Sequence, residues 1–289
     1  MRARVIGGQH KKHGDLDGDS KQSLFYGPTS LCLDDAGNVL VSGLHNSNVR
    51  KIDRNGITTT IAWRKTIELC CRTIIFDTKL GIYMSSLGGI YRIHNNVYSV
   101  INFSTFVHIA WIPIENERHI IAIDGHDGSF VLLNCFGRPA GSFGTPLLIP
   151  TCIAVNNAGD VFVQHEKLIS IDDQCDYFVQ KNVISTWRGG GWKQTIFIQD
   201  RIKSITFNDN DDLVVTTYER YRGAMLHLCR IMINGRAIIL RNWALDWSES
   251  ISYTVADNTG LYICSCEHNL IIKLSFVNVW TSGEQMPII

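Results

Sequence analysis

Arg72, His108, Lys203 and Tyr253 are the residues of this sequence whose types suit chemistry at a single point. An imidazole and an amine transfer protons, and a guanidinium holds a developing anion. They lie far apart in the chain, so they meet only if a repeated scaffold brings one position of successive units to a common axis. A second set suits binding. Trp187, Arg188, Trp192 and Lys193 flank a run of three glycines, and Arg220, Tyr221 and Arg222 form another aromatic and basic stretch. Both of these stretches read as connecting loops, where exposed aromatic and cationic side chains meet peptides or stack on bases.

Several familiar chemistries are missing. The Arg188-Gly189-Gly190-Gly191-Trp192-Lys193 run lacks the Lys-Ser/Thr ending of a phosphate-binding loop. Cys70-Cys71 and Cys264-Ser265-Cys266 fit neither zinc nor dithiol redox spacing, and no Gly-x-Ser-x-Gly elbow is present. Asp15-Leu16-Asp17-Gly18-Asp19 offers the oxygens that calcium wants, but not at EF-hand spacing, and it is expected to be an ordered loop. His45, His126, His165 and His268 fall in or beside turns, as solvated or capping groups. No metal and no cofactor are expected.

The 27 basic and 27 acidic residues cancel, so no global field favours nucleic acid or an anionic membrane. The N-terminus has no apolar segment behind its arginines, and no apolar run approaches the length that spans a bilayer. Nine scattered cysteines, an odd number, read mostly as reduced core residues of an intracellular, cytoplasmic protein.

The scaffold is legible as a repeat. Pro28 to Ala62 divides into four short strands, Ser30 to Leu33, Val39 to Ser42, Val49 to Ile52 and Ile57 to Ile61, separated by Asp, Asn and Gly turns. Inner strands recur at Pro28, Cys71, Phe106, Pro150, Ile202 and Ser250. The second strands are spaced from 38 residues (Ile82 to Ile120) to 52 (Val161 to Leu213). Each inner strand alternates small residues (Ser30/Cys32, Thr73/Ile75, His108/Ala110, Cys152/Ala154, Ser204/Thr206, Ser252/Thr254) with large apolar ones, Tyr253 and Val255 among them. This predicts an all-β, six-bladed β-propeller of four antiparallel strands per blade, a single domain over residues 1–289. The blades are expected near 27–62, 70–102, 105–143, 150–184, 201–241 and 249–280, the last joined by 1–7. Arg2 to Ile6 is expected as the ring-closing strand, with Phe276 to Trp280 as its competitor.

Ile6-Gly7-Gly8, Phe25-Tyr26-Gly27-Pro28, Gly37-Asn38-Val39-Leu40-Val41 and Asn48-Val49-Arg50-Lys51-Ile52-Asp53 together resemble an NHL-repeat propeller. The resemblance implies a six-bladed ring whose relatives include protein-binding scaffolds, RNA-binding domains and a lyase with a central metal. The leading expectation is a non-enzymatic module binding a protein or peptide through the loop residues above. One alternative is RNA binding through a basic face of Arg64, Lys65, Arg72, Lys181, Arg188, Lys193, Lys203, Arg220 and Arg222. The other is a lyase or hydrolase with its site in the central funnel around Arg72, His108, Lys203 and Tyr253.

Overall fold

The computed structural model describes residues 2–45, 48–63, 71–95, 97–115, 117–172, 175–188, 190–198, 201–219, 223–231, 237–245, 251–257 and 259–275. Within these, the side chains of 2, 63, 167–172, 175–181, 188, 194–198, 218–219, 223–231 and 237–245 are outside the description. Arg64, Lys65, Arg220, Tyr221, Arg222 and Phe276 to Trp280 lie outside the described residues, as do the side chains of Lys181 and Arg188. Among the described residues no helix is long and apolar enough to cross a membrane.

Runs of β-branched and aliphatic residues punctuated by Asx and Gly turns fold here as antiparallel strands. The chain opens with β1 (Arg2–Gly7). It continues through β2 (Pro28–Leu33), β3 (Val39–Gly43), β4 (Asn48–Ile52) and β5 (Thr58–Trp63), then β6 (Cys71–Asp77), β7 (Gly81–Ser86), β8 (Gly89–His94) and β9 (Val97–Asn102). Next come β10 (Phe106–Ile114), β11 (Glu117–Asp124), β12 (Phe130–Asn134) and β13 (Pro139–Ser142), then β14 (Cys152–Val155), β15 (Val161–Asp172), β16 (Cys175–Arg188) and β17 (Gly191–Ile198). The last are β18 (Arg201–Phe207), β19 (Leu213–Glu219), β20 (Gly223–Ile231) and β21 (Ala237–Leu245), followed by β22 (Tyr253–Asp257), β23 (Gly260–Ser265) and β24 (Leu270–Ser275).

These strands pair into six four-stranded antiparallel sheets. Five follow chain order. The sixth is ordered β1-β24-β23-β22, so the N-terminal strand forms the outer edge of the C-terminal sheet, Arg2 opposite Ser275 and Val5 opposite Ile272. The fold is an all-β propeller with four-stranded blades. Its innermost strands touch in the order β2, β6, β10, β14, β18, β22 and back to β2. All six run the same way through the ring. The face where they begin, here the upper face, carries the turns between second and third strands. The lower face carries the first-to-second and third-to-fourth turns.

Apolar side chains fill the spaces between neighbouring sheets rather than one central core. Phe162 and Ile184 pack with Ile205 and Leu213 of the next sheet, and Leu40 and Val49 with Ile74 and Met84. Short polar side chains stitch the inner strands together. Ile74 N donates to Ser30 Oγ (3.1 Å), Ile153 N to His108 Nδ1 (3.4 Å) and Thr254 N to Ser204 Oγ (3.3 Å). The last of these bonds corrects the expected register of β22. Tyr253, not Ser252, takes the place of Thr73 and Cys152, so Tyr253 and Val255 lie on the face that carries small residues elsewhere. A slip of one residue turns every side chain over, and Ser250-Ile251-Ser252 had matched the small-large-small pattern by composition alone.

The fourth sheet also differs from expectation. The sequence there divides into a third strand at Leu168 to Ile171 and an outer strand at Tyr177 to Val183, but the first is the end of the twelve-residue β15 and the second lies in the fourteen-residue β16. The two form a hairpin paired from Val161↔Trp187 to Asp172↔Cys175, reaching past β14, which pairs only as far as Cys152↔Gln164. The outer strand is β17, formed from residues expected as a loop.

Candidate active site in the central funnel

Four of the inner strands carry a one-residue register shift near their upper ends, with Thr29, Arg72, Val107 and Lys203 as the extra residue at equivalent positions. A bulge re-aims its side chain at a sheet edge, and Thr29 shows where it aims here: its hydroxyl donates to Cys71 O of the next inner strand, at 2.8 Å. Arg72 and Lys203 occupy this position on β6 and β18, three inner strands apart and so on opposite sides of the funnel. Arg72 is exposed and Lys203 half-buried. Burial, and then the charge of Arg201, hold the Lys203 ammonium below its ordinary pKa.

One residue further along the strands, His108 on β10 and Tyr253 on β22 also face each other across the ring. Their rings stack, with centroids 5.6 Å apart and planes 30° from parallel. Because His108 Nδ1 accepts from Ile153 N, its proton resides on Nε2, which lies 3.5 Å from Cys152 Sγ; that thiol donates onward to Ile205 O at 3.9 Å. Burial drives the His108 pKa down to about 3 and the Cys152 pKa up to about 12. Burial, with the thiols of Cys152, Cys32 and Cys264 nearby, raises that of Tyr253. Imidazole, thiol and phenol are all neutral at pH 7, so the layer is an uncharged floor rather than a thiolate-imidazolium pair. Cys152 was absent from the expected funnel set, although its place one repeat beyond His108 was visible in the alignment.

A central metal would need converging His, Cys, Asp or Glu donors. The funnel positions instead hold Ser30, Thr73, His108, Cys152, Ser204 and Tyr253. Among the described residues no three metal-binding side chains come together, so these residues do not fit such a group. The Asp15 to Asp19 loop is organised by a cation of the protein's own. Arg50 is 1% exposed and donates to Leu24 O (2.8 Å), Leu16 O (2.7 Å) and Asp17 Oδ1 (2.7 Å). Asp17 Oδ2 accepts from Thr60 N, Asp15 from Asn48, and Asp19 from Lys21 N and Gln22 N. Partial burial opposes the charge on Asp17, but bonds from Thr60 and Arg50 outweigh it and hold the carboxyl below its ordinary range.

The expected binding loop is not a loop. Trp187 and Trp192 are directly opposed on β16 and β17, with ring centroids 5.3 Å apart, and both lean on the preceding sheet. Trp192 lies 5.1 Å from Phe130, Trp187 lies 5.3 Å from Phe143, and Trp192 Nε1 donates to Thr145 O (2.9 Å). The pair that read as exposed hooks is mortar between two sheets, while Lys193 beside it is exposed. Of the basic face, Arg72 and Lys203 stand at the funnel and Lys193 on an outer strand, so these three form no common patch. His45 and His268, expected as turn groups, enter two ring contacts that were not foreseen: His268 stacks on His10 (4.8 Å), and Tyr26 lies between His13 (4.8 Å, stacked) and His45 (4.6 Å, tilted). His165 is 6% exposed, bonded to Ser185 Oγ at 2.9 Å. The six cysteines whose side chains are described, Cys32, Cys71, Cys135, Cys152, Cys264 and Cys266, are free thiols.

No protein-family model matches the chain, and no curated protein matches it by sequence. Solved structures match its fold. A gluconolactonase from Xanthomonas campestris superposes with a TM-score of 0.63 at 11% identity, over 95% of this chain and 89% of that one. Virginiamycin B lyase from Staphylococcus aureus gives 0.62 at 12%, over 96% and 100%. A glucose dehydrogenase gives 0.62 at 10%, over 96% and 100%. At these identities the likeness shows the fold alone, a propeller and not NHL repeats in particular. It corrects the leading expectation: the non-enzymatic, protein- or peptide-binding module rested on the NHL resemblance, whereas these structural neighbours are enzymes.

Proposed function

We propose that this propeller is a hydrolase or lyase whose site is the upper mouth of the central funnel, with Lys203 as the proton-transfer group and Arg72 as the anion holder. The six sheets are read as six blades of one ring, which puts Arg72 opposite Lys203 above the stacked His108 and Tyr253. The observation that carries the proposal is this placement: a lysine with a depressed pKa and an arginine stand at equivalent positions of inner strands on opposite sides of the ring, beside a buried, neutral floor. A lysine with a lowered pKa is a base nearer neutral pH. In hydrolysis of a cyclic ester, neutral Lys203 takes a proton from water as its oxygen adds to the carbonyl carbon and Arg72 holds the oxyanion; the intermediate then collapses, the ring C–O bond breaks, and the Lys203 ammonium returns the proton to the departing alkoxide. In elimination from an ester, the same amine takes the proton beside a carbonyl, a carbon–carbon double bond forms as the C–O bond at the next carbon breaks, and the ester leaves as a carboxylate. Support comes also from the structural neighbours, which are named for a lactonase, a lyase and a dehydrogenase; since one fold hosts many reactions, the residues must choose among them.

The test is ring opening of a panel of sugar lactones, followed by pH-stat, alongside elimination from an ester-linked cyclic peptide followed by ultraviolet absorbance. Lys203→Met is expected to lower kcat/KM by about 10²-fold or more with Tm unchanged. Lys203→Arg, which keeps the charge, should not restore it. Turnover that survives Lys203→Met, or no turnover of either substrate class by the wild-type protein, overturns the proposal.

A further inference from the structure

A second concavity lies on the lower face, between the sheet that contains β1 and the first sheet of the chain. Its volume is about 420 Å³, and its walls include Arg4, Arg54, Lys273, Asp53, Asp257 and Tyr262. Arg4 is paired directly with Lys273, and Lys273 with Tyr262, so one cross-strand row of the last sheet presents two cations side by side. Like charges opposed on neighbouring strands destabilise a sheet. Arg54 brings a third cation from the opposite wall, where its guanidinium lies over Gly37: a Cβ there would sit 2.7 Å from Nη2.

Asp53 and Asp257 offset two of the three charges, so the cleft keeps a positive excess, and neither acid makes an ion pair with its cations. Asp53 Oδ1 accepts from the backbone N of Asn55 and Ile57. Asp257 Oδ1 accepts from Thr259 N (2.7 Å), Thr259 Oγ1 (2.7 Å) and Gly260 N (2.9 Å), and its Oδ2 from the Tyr262 hydroxyl (3.1 Å). Lys273 Nζ is held by the Tyr262 hydroxyl (2.7 Å) and Thr259 Oγ1 (2.8 Å). Among the described residues the ion pairs are Arg50–Asp17 and Arg118–Asp77, neither of them here. Both acids accept from backbone N–H groups of their own turns, whereas two arginines and a lysine line the same space.

We propose that this cleft binds a small phosphorylated molecule. Guanidiniums match phosphate oxygens two at a time, and a dianion between them cancels the repulsion that the empty row carries. The volume is at the small end of the range for organic ligands. The site is separate from the funnel, at the other face of the ring, and it joins the two ends of the chain: Arg4 is on the N-terminal strand, Lys273 on the C-terminal one and Arg54 on the first sheet.

The probe is inorganic pyrophosphate, titrated calorimetrically into the full chain at low ionic strength and checked by thermal shift. Saturable binding with a rise in Tm is expected, and both Arg54→Gln and Arg4→Gln should weaken it at least tenfold. Arg4 lies on the closing strand, so Arg54→Gln, in an exposed turn, is the variant that separates lost binding from lost folding. Lys193→Gln, on a distant outer strand, should leave affinity unchanged. Three outcomes overturn the proposal: no saturable binding, affinity unmoved by Arg54→Gln, or the same Tm rise from sodium chloride at matched ionic strength. Tighter binding of citrate than of pyrophosphate overturns the assignment to phosphate.

Discussion

His108 is a titratable group that the fold keeps from titrating. Its ring is 4% exposed, and its two nitrogens are committed to Ile153 N and Cys152 Sγ. Unfolding frees it to bind a proton near pH 6.5, whereas in the folded chain it stays neutral down to about pH 3. Between those values the unfolded state holds the extra proton. Stability contributed by His108 is therefore complete above about pH 6.5 and falls as pH drops, by about 1.4 kcal/mol per unit for one proton. Urea denaturation at pH 6.5, 5.5 and 4.5 should show a stability decline that His108→Gln, which keeps an acceptor for Ile153 N, makes shallower by that slope; parallel declines would show that His108 is not the group responsible. His108 was legible as an inner-strand residue because histidine broke a run of small residues. That it would be inert was not legible, since this depends on Tyr253 meeting it from a strand far along the chain. Arg50 was hidden for the same reason: in sequence it is one cation of an Arg-Lys pair on a strand, and only folding buries it under the Asp15 to Asp19 loop.

The hairpin of β16 and β17 shows what strand alternation can and cannot reveal. Its inner neighbours β14 and β15 were legible, because Cys152 to Val155 and Val161 to Val163 alternate cleanly and are separated by an Asn-Asn-Ala-Gly turn. The Gly189-Gly190 turn, however, reads identically whether it tips a long loop or a tight hairpin. What decides is the aromatic pair: Trp187 and Trp192 face each other across the strands, and Phe130 and Phe143 of the previous sheet supply the apolar surface that both need. Those partners lie more than forty residues away, beyond any local pattern. Trp192→Ala should cost about 2–3 kcal/mol in chemical denaturation, below the roughly 3–5 kcal/mol of a fully buried tryptophan because the ring is half-exposed. A loss under about 0.5 kcal/mol would mean that the pair does not hold the two sheets together.

At the scale of the ring, everything depends on one seam. The repeat length and the phase of Arg2 to Ile6 made the closing strand legible, whereas the contacts that lock it were not. Gly8 follows β1 with φ +87°, and a Cβ added there would fall 2.1 Å from Asn269 O. Asn269 itself accepts from Gly27 N through its side chain at 2.8 Å, so one residue touches both flanks of the N-terminal loop. Gly8→Ala should lower Tm by at least 5 °C and, by loosening β1, expose the edge of β24 and promote concentration-dependent association in gel filtration. A monomer of unchanged Tm would place the strength of closure elsewhere. This seam also sets an order of events during synthesis. β1 is made about 260 residues before β24, so at about 5–20 residues per second it waits roughly 15–50 s for its partner. Throughout that time five sheets can form while the ring stands open, so the arrival of β24, not of β1, decides when the seam shuts.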